Sequence, residues 1–259
     1  VVKLPVVAVD VGNARIKLGL FPRQVGGCAF PEPVATLALD GRQPELCRIR
    51  PWLKECAEPH LAWWIASVNR PATTRLLDWI REHRPADPMT LLSAGDLPLR
   101  VELKRPDMVG VDRLLDALAA NHLRQPGRPA VVVDVGTAIT VDLVSAAGAF
   151  RGGAILPGIA MSARAMHEFT DLLPLLEMAE LSTPPPALGT ATDAAMRSGL
   201  FWGAVGAIRQ LIERLASSDD PQIFLTGGAS PAVAELLGRS ALHVPHLTLA
   251  GIALTATDS

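Results

Sequence analysis

Short β-branched runs alternate with amphipathic stretches along the chain. "VVAVDV", Val6 to Val11, is almost wholly apolar and stops at Gly12, the pattern of a buried strand entering a tight turn. "KLGLF", Lys17 to Phe21, continues as the second strand of a hairpin, and Gly26 to Pro33 reads as loop. A helix is expected over Glu45–Glu55 and a buried strand over Leu61–Asn69, "LAWWIASVN". Pro71 opens the next helix, in which Leu76, Leu77 and Ile80 recur at helical spacing. Another helix is expected from about Val111. "RQPGRP", Arg124 to Pro129, then marks the clearest boundary in the chain.

Beyond that boundary the opening phrase returns. "VVVDVGTAIT", Val131 to Thr140, repeats the plan of Val6 to Lys17: an apolar lead, Asp-Val-Gly, then a small polar residue. "VDLVS" and "GAFRGGAI" follow as meander strands, "PGIAMSARAMHEF" as a helix and "STPPPALGT" as a proline-rich loop. Thr192 to Ser217 has a long helical pattern. Its small residues Ser198, Gly199, Gly203, Ala204 and Gly206 would admit another helix closely. "IFLTGGAS" predicts a strand running into a glycine turn, and Pro231–Leu237 a short helix. Two copies of a long period do not make a solenoid. They predict two halves of similar fold, residues 1–122 and 128–259, facing one another across a cleft.

Composition narrows the function classes. Hydrophobic residues make up 49% and charged residues 19%, which suits a globular chain. The formal net charge of −2 gives no field that would favour nucleic acid or an anionic membrane, so neither is expected as a partner. No apolar run reaches membrane-helix length, and the start lacks a signal-peptide pattern. Cys28, Cys47 and Cys56 are scattered, as reduced cytosolic thiols are. Prolines and glycines are abundant, and the chain has no tyrosine.

The repeated phrase carries the chemistry. A glycine after the strand lets the backbone turn and approach a ligand, and N–H groups in such a turn can hold phosphate oxygens. An aspartate at the strand end can hold a hydrated cation beside them. Asn13 or Thr137 adds a donor. One copy alone would be ordinary turn punctuation. Two copies behind matching strands point to a polyphosphate gripped twice. Gly227 and Gly228 suit a turn on which an adenine could lie. "GVDR", Gly110 to Arg113, opens a helix. An acid in a first helical turn is a common structural feature. Beside two phosphate loops, Asp112 becomes the candidate base for an alcohol attacking a γ-phosphate. Arg113 could pair with an anionic substrate or form a salt bridge. Asp142 shares the strand face of Thr140, as a supporting residue or an ordinary strand end. His122, His167 and His243 form no pattern.

In order, "DVGN…K" (Asp10 to Lys17), "PDMVGVDR" (Pro106 to Arg113), "DVGTAITVDLV" (Asp134 to Val144), "GGAILPG" (Gly152 to Gly158), "LGTATDAAMRSGLFWG" (Leu188 to Gly203) and "FLTGGA" resemble type III pantothenate kinases, within the actin-like ATPase superfamily. The resemblance implies an α/β fold of two actin-like (ribonuclease H-like) halves, each a mixed sheet flanked by helices, across a nucleotide cleft. It implies ATP-dependent phosphorylation of pantothenate to 4'-phosphopantothenate, the first step of coenzyme A synthesis. The enzyme would be a cytoplasmic homodimer using Mg²⁺ and a monovalent cation, K⁺ or NH₄⁺. Carried over, the first phosphate loop is Asp10, Val11, Gly12, Asn13, Ala14, Arg15, Ile16 and Lys17, with Asp10 holding Mg²⁺ through water. Thr137 contacts ATP, and Asp134 binds the monovalent cation. Gly110, Val111, Asp112, Arg113 and Thr192 meet pantothenate, with Asp112 as catalytic base.

Two positions depart from that pattern. Ala14 stands where the family commonly has Thr or Ser, which removes a hydroxyl worth on the order of 1 kcal/mol if bonded. Leu103 stands at the substrate pocket where the family commonly has tyrosine. Two alternatives follow: a nucleotide-binding regulator of the kind first described as Bvg accessory factors, or a kinase for another small alcohol.

Overall fold

The computed structural model describes residues 4–22, 30–54, 59–177, 183–216, 220–237 and 241–258. The chain divides into two compact units. Unit 1 comprises Val1–Leu99, Lys104–Leu123 and His246–Ser259, and unit 2 comprises Arg100–Leu103 and Arg124–Pro245.

Unit 1 is built on a five-stranded sheet of β1 (Val6–Val11), β2 (Arg15–Phe21), β3 (Ala35–Asp40), β4 (Ala62–Ser67) and β5 (Met89–Leu91), in the order β3-β2-β1-β4-β5. The first three strands run antiparallel, and β1, β4 and β5 run parallel. Period-two alternation sorts the side chains. Val7, Val9, Val11, Ile16, Leu18 and Ile65 form one apolar cluster with Leu53 of α1 (Ile49–Lys54) and with Leu76, Trp79 and Ile80 of α2 (Arg70–His83). Helix α3 (Val111–Leu123) packs with the terminal helix, Leu247–Asp258. There the buried Thr248 hydroxyl donates to Asp116 Oδ1 at 2.7 Å. Gly251 lets the two helices close, since a Cβ there would stand 2.3 Å from the Leu115 carbonyl oxygen.

Unit 2 repeats the plan strand for strand. Its sheet holds β6 (Ala130–Val135), β7 (Ala138–Val144), β8 (Phe150–Pro157), β9 (Gln222–Thr226) and β10 (Ala241–His243), in the order β10-β9-β6-β7-β8. Again the first three are antiparallel and β6, β9 and β10 parallel. The helices are α4 (Ile159–Glu168), α5 (Thr192–Leu215) and α6 (Ser230–Leu237), which makes the terminal helix of unit 1 α7. Val131, Val133, Ile139 and Val141 face Phe201, Val205 and Ile208 of α5 and Val233 of α6. Thr140 and Asp142 therefore share the opposite face of β7.

Several expectations differ in detail from the structure. α7 completes unit 1, so residues 128–259 do not form one half. The helix expected over Glu45–Glu55 is a 3₁₀ turn, Leu46–Arg48, followed by α1, with Pro51 in the first turn where its missing N–H costs no helical bond. Glu55 lies outside the described residues, as do Ser217, Gly26 to Ala29, Cys28 and Cys56. Asn69 is not strand; it caps α2. Among the described residues no helix is long and apolar enough to cross a membrane.

Candidate active site

In unit 1 the predicted phosphate loop is the β1–β2 hairpin. The Gly12 N–H closes it on the Arg15 carbonyl at 2.9 Å, and Asn13 and Ala14 form its exposed tip. Gly41 lies against the back of that tip: a Cβ there would meet the Asn13 carbonyl oxygen at 2.8 Å, and its N–H donates to Ala14 O at 2.8 Å. Asp40 fixes the approach, accepting the Arg42 and Gln43 N–H groups at 2.7 Å each. The Gln43 and then the Arg42 bond hold its carboxyl below the ordinary range. Val11 and Ile16 point into the core, so they can offer a ligand only backbone.

Asp10 is 8% exposed at the end of β1. Lys17 is its register partner on β2, with Nζ 3.8 Å from Asp10 Oδ2. His246, before α7, has its imidazole pKa lowered, first by burial and then by the Lys17 charge, although much of the ring remains exposed.

The Gly110–Arg113 segment reaches the same edge of this sheet. β1 and β4 are parallel and end together at Val11 and Ser67, and the Val68 N–H donates to Val11 O at 3.1 Å. Val68 also lies beside Gly110: a Cβ on that glycine would be 3.9 Å from Val68 Cγ1 and 2.5 Å from Asp112 Oδ1. Glycine therefore leaves room for the Asp112 carboxylate, whose Oδ1 accepts the Arg113 N–H at 2.9 Å. Val111 is core, while Asp112 and Arg113 are half-buried.

In unit 2 the β6–β7 turn is one residue tighter. Gly136 N–H donates to Ala138 O at 3.0 Å, and Thr137 is exposed at the tip. Gly158 closes behind it as Gly41 does in unit 1, with its N–H on Thr137 O at 3.0 Å and no room for a Cβ, which would stand 2.4 Å from that oxygen. Asp134 takes the place of Asp10, but its register partner is Thr140, where unit 1 has Lys17. The Asp134 carboxylate lies between Gly136 and Gly227, where added Cβ atoms would come to 3.4 and 2.2 Å from Oδ1. Among the described residues, no three His, Cys, Asp or Glu side chains cluster as a metal site, so a cation here would take one carboxylate with other oxygens.

The predicted substrate residues are divided between the units. Leu103 belongs to unit 2, on a segment that runs beside β8: Val101 bridges Phe150, and the Glu102 N–H donates to Phe150 O at 2.9 Å. Its Cδ2 is 3.1 Å from where a Gly152 Cβ would be, and Gly152 has a φ of +89°. Thr192 is exposed at the start of α5, with Gly189 pressed on the Ala194–Ala195 backbone. Asn69 and His243 went unassigned in the sequence. An N-cap residue ahead of Pro71 could have revealed Asn69. No local pattern pointed to His243.

A sequence model of the family described as Type III pantothenate kinase matches residues 6–214. A relative from Gluconobacter oxydans named Type III pantothenate kinase is 38% identical over 194 residues, 74% of this chain and 70% of that one. One of the same name from Dehalococcoides mccartyi is 32% identical over 263 residues, 95% of each chain. Among solved structures, a Sinorhizobium meliloti protein named as a 2-dehydro-3-deoxygalactonokinase superposes with a TM-score of 0.55 at 13% identity, over 99% of both chains. A Listeria monocytogenes protein named as an N-acetylmannosamine kinase gives 0.53 at 16%, over 98% of this chain and 99% of that one. At such identities these likenesses concern the fold alone, two mixed sheets flanked by helices.

Proposed function

We infer, for a chain that belongs to the type III pantothenate kinase family, that it transfers the γ-phosphoryl group of ATP to pantothenate. The product is 4'-phosphopantothenate, at the entry to coenzyme A synthesis. The observation that carries this reading is the doubled Asp-x-Gly hairpin at equivalent positions of two equivalent sheets, with Asp112 at the edge of the first.

That arrangement supports the following residue roles. Gly12, Asn13, Ala14 and Arg15 offer backbone N–H groups and exposed side chains to phosphate oxygens, and Lys17 adds a charge; Thr137 offers its hydroxyl from the second hairpin. Asp10 fits a water-mediated Mg²⁺ site, and the bound ion would offset phosphate charge. Asp134 fits a monovalent cation: Lys17 faces Asp10 across the first hairpin, and the equivalent position opposite Asp134 is the neutral Thr140. Gly110, Asp112, Arg113, Leu103 and Thr192 serve pantothenate. As the acceptor hydroxyl oxygen bonds to the γ-phosphorus, the bond to the β–γ bridging oxygen breaks. Asp112 takes the hydroxyl proton.

The working unit is a homodimer. Phe169, Leu172 and Leu188 of unit 2 are 85, 86 and 79% exposed, a large amount of apolar surface. On α5, Gly199, Gly203 and Gly206 stand a turn apart with open space beside each, so a helix of a second copy could approach. The place of action is the cytoplasm, with no nucleic acid or membrane as partner.

A coupled assay of ADP release, with and without pantothenate and with K⁺, NH₄⁺ or neither, tests the reading. Pantothenate-dependent turnover that needs the monovalent cation is expected. No turnover with any acceptor would favour a nucleotide-binding regulator. Turnover only with a different alcohol would move the assignment to another kinase.

A further inference from the structure

The glycine turn after β9 is held by a side-chain relay that the chemistry above leaves unused. Ser230, the first residue of α6, is wholly buried. Its Oγ lies 2.6 Å from the Gly227 carbonyl oxygen and 2.8 Å from His243 Nε2. A hydroxyl has one proton and a carbonyl can only accept, so that proton goes to Gly227. Oγ must then accept from His243, which fixes the imidazole with a proton on Nε2. His243 arrives from β10, opposite Leu225 of β9, and the Val244 N–H secures that strand on Leu225 O at 2.8 Å. Elements β9, α6 and β10 thus converge on one backbone carbonyl.

What the relay holds is a left-handed glycine lying on a carboxylate. Gly227 has a φ of +98°, and a Cβ there would stand 2.2 Å from Asp134 Oδ1 and 2.6 Å from Val135 N. The Ala229 N–H donates to Val135 O at 3.0 Å, so the turn is also fastened to the end of β6. Any swing of the Gly227 peptide would move the wall against which the Asp134 carboxylate rests.

We propose that His243 and Ser230 are positioning residues for nucleotide binding: they fix the Gly227 turn and through it the Asp134 carboxylate, without touching ATP themselves. The proposal rests on the assignment of the Asp134–Thr137 hairpin to ATP.

Steady-state kinetics with both substrates, and calorimetric binding of a non-hydrolysable ATP analogue, test this in the full-length protein. His243→Leu removes the donor and should raise KM for ATP and Kd for the analogue about three- to tenfold. Its kcat and its KM for pantothenate should stay within about twofold of the parent's. Ser230→Ala should do the same, and the double variant no worse than either, because one relay is lost once. His243→Gln supplies an amide N–H and should recover most of the ATP affinity. The proposal is overturned if His243→Leu keeps the parent's ATP constants, or if its ATP and pantothenate constants rise together. It is equally overturned if His243→Gln melts like the parent yet binds ATP as poorly as His243→Leu. A parent that binds the analogue but ignores pantothenate would fail the kinase reading alone, and the binding constants of the variants would still decide the relay. A parent that does not bind the analogue overturns both.

Discussion

Asn69 donates from Nδ2 to the Gly12 carbonyl at 3.2 Å while its Oδ1 accepts the Ala72 N–H at 3.2 Å. One side chain thus caps α2 and braces the β1–β2 hairpin. Asn69→Ala loses both bonds and should cost about 1 kcal/mol of stability, as N-cap removal does, and raise KM for ATP. Asn69→Asp keeps the cap but cannot donate to Gly12, so its denaturation midpoint should stay near the parent's while KM for ATP still rises. An Asp variant with the parent's KM for ATP would show that the hairpin does not depend on this brace.

Asp112→Asn keeps an oxygen for the Arg113 N–H and so keeps the local geometry. It removes the proposed proton acceptor. ATP affinity should hold while kcat falls about 10²- to 10⁴-fold. Turnover within threefold of the parent would take the base role away from Asp112.

Leu103 stands against the left-handed Gly152 on the segment beside β8. Leu103→Tyr restores a phenol where the family commonly has one. A hydrogen bond of about 0.5–1.5 kcal/mol would lower KM for pantothenate severalfold and leave KM for ATP unchanged. A folding defect would move both constants. Weaker use of pantothenate alone would mean that the pocket has been rebuilt around leucine and Gly152.

His246 gives a pH test of stability. Burial, then the Lys17 charge, lowers its folded pKa below the ordinary 6.5. Its unfolded form therefore gains a proton first as pH falls. Stability from neutral His246 is complete above about pH 6.5 and is lost as pH drops from there toward the lower folded value. Thermal midpoints measured from pH 7.5 to pH 5 should fall less steeply for His246→Gln than for the parent. Parallel curves would show that the ring contributes no such linkage.

How far the sequence can be read depends on where the signal resides. Val6–Val11 and Ala130–Val135 announce themselves as apolar runs ending in Asp-Val-Gly, because a strand buried on both faces needs apolar residues throughout. Helix α2 is equally plain from Leu76, Leu77 and Ile80. The edge strands are not. "ATLALD" is half-exposed, and Met89–Leu91 and Ala241–His243 have three residues each, too few for periodicity to show. "LTLAGIALTA" is apolar on nearly every side, with no stripe to mark it as helix α7. The proposed site residues Asp10, Asp112 and Asp134 stand in local motifs, so the sequence alone nominates them. The relay of His243, Ser230 and Gly227 links residues from separate elements, and pairing of that kind exists only once β9 and β10 are side by side.

The position of α7 bears on the order in which the molecule can be made. A ribosome emits β1 through α3 before Arg124–Pro245 of unit 2, and only after that stretch the helix whose Thr248 meets Asp116 and whose Gly251 seats on Leu115. Until α7 arrives, the rest of unit 1 must wait with one flank uncovered while unit 2 can already close. Nascent chains would therefore be most exposed to proteases and chaperones in the stretch from β1 to α3, and loss of α7 would injure unit 1.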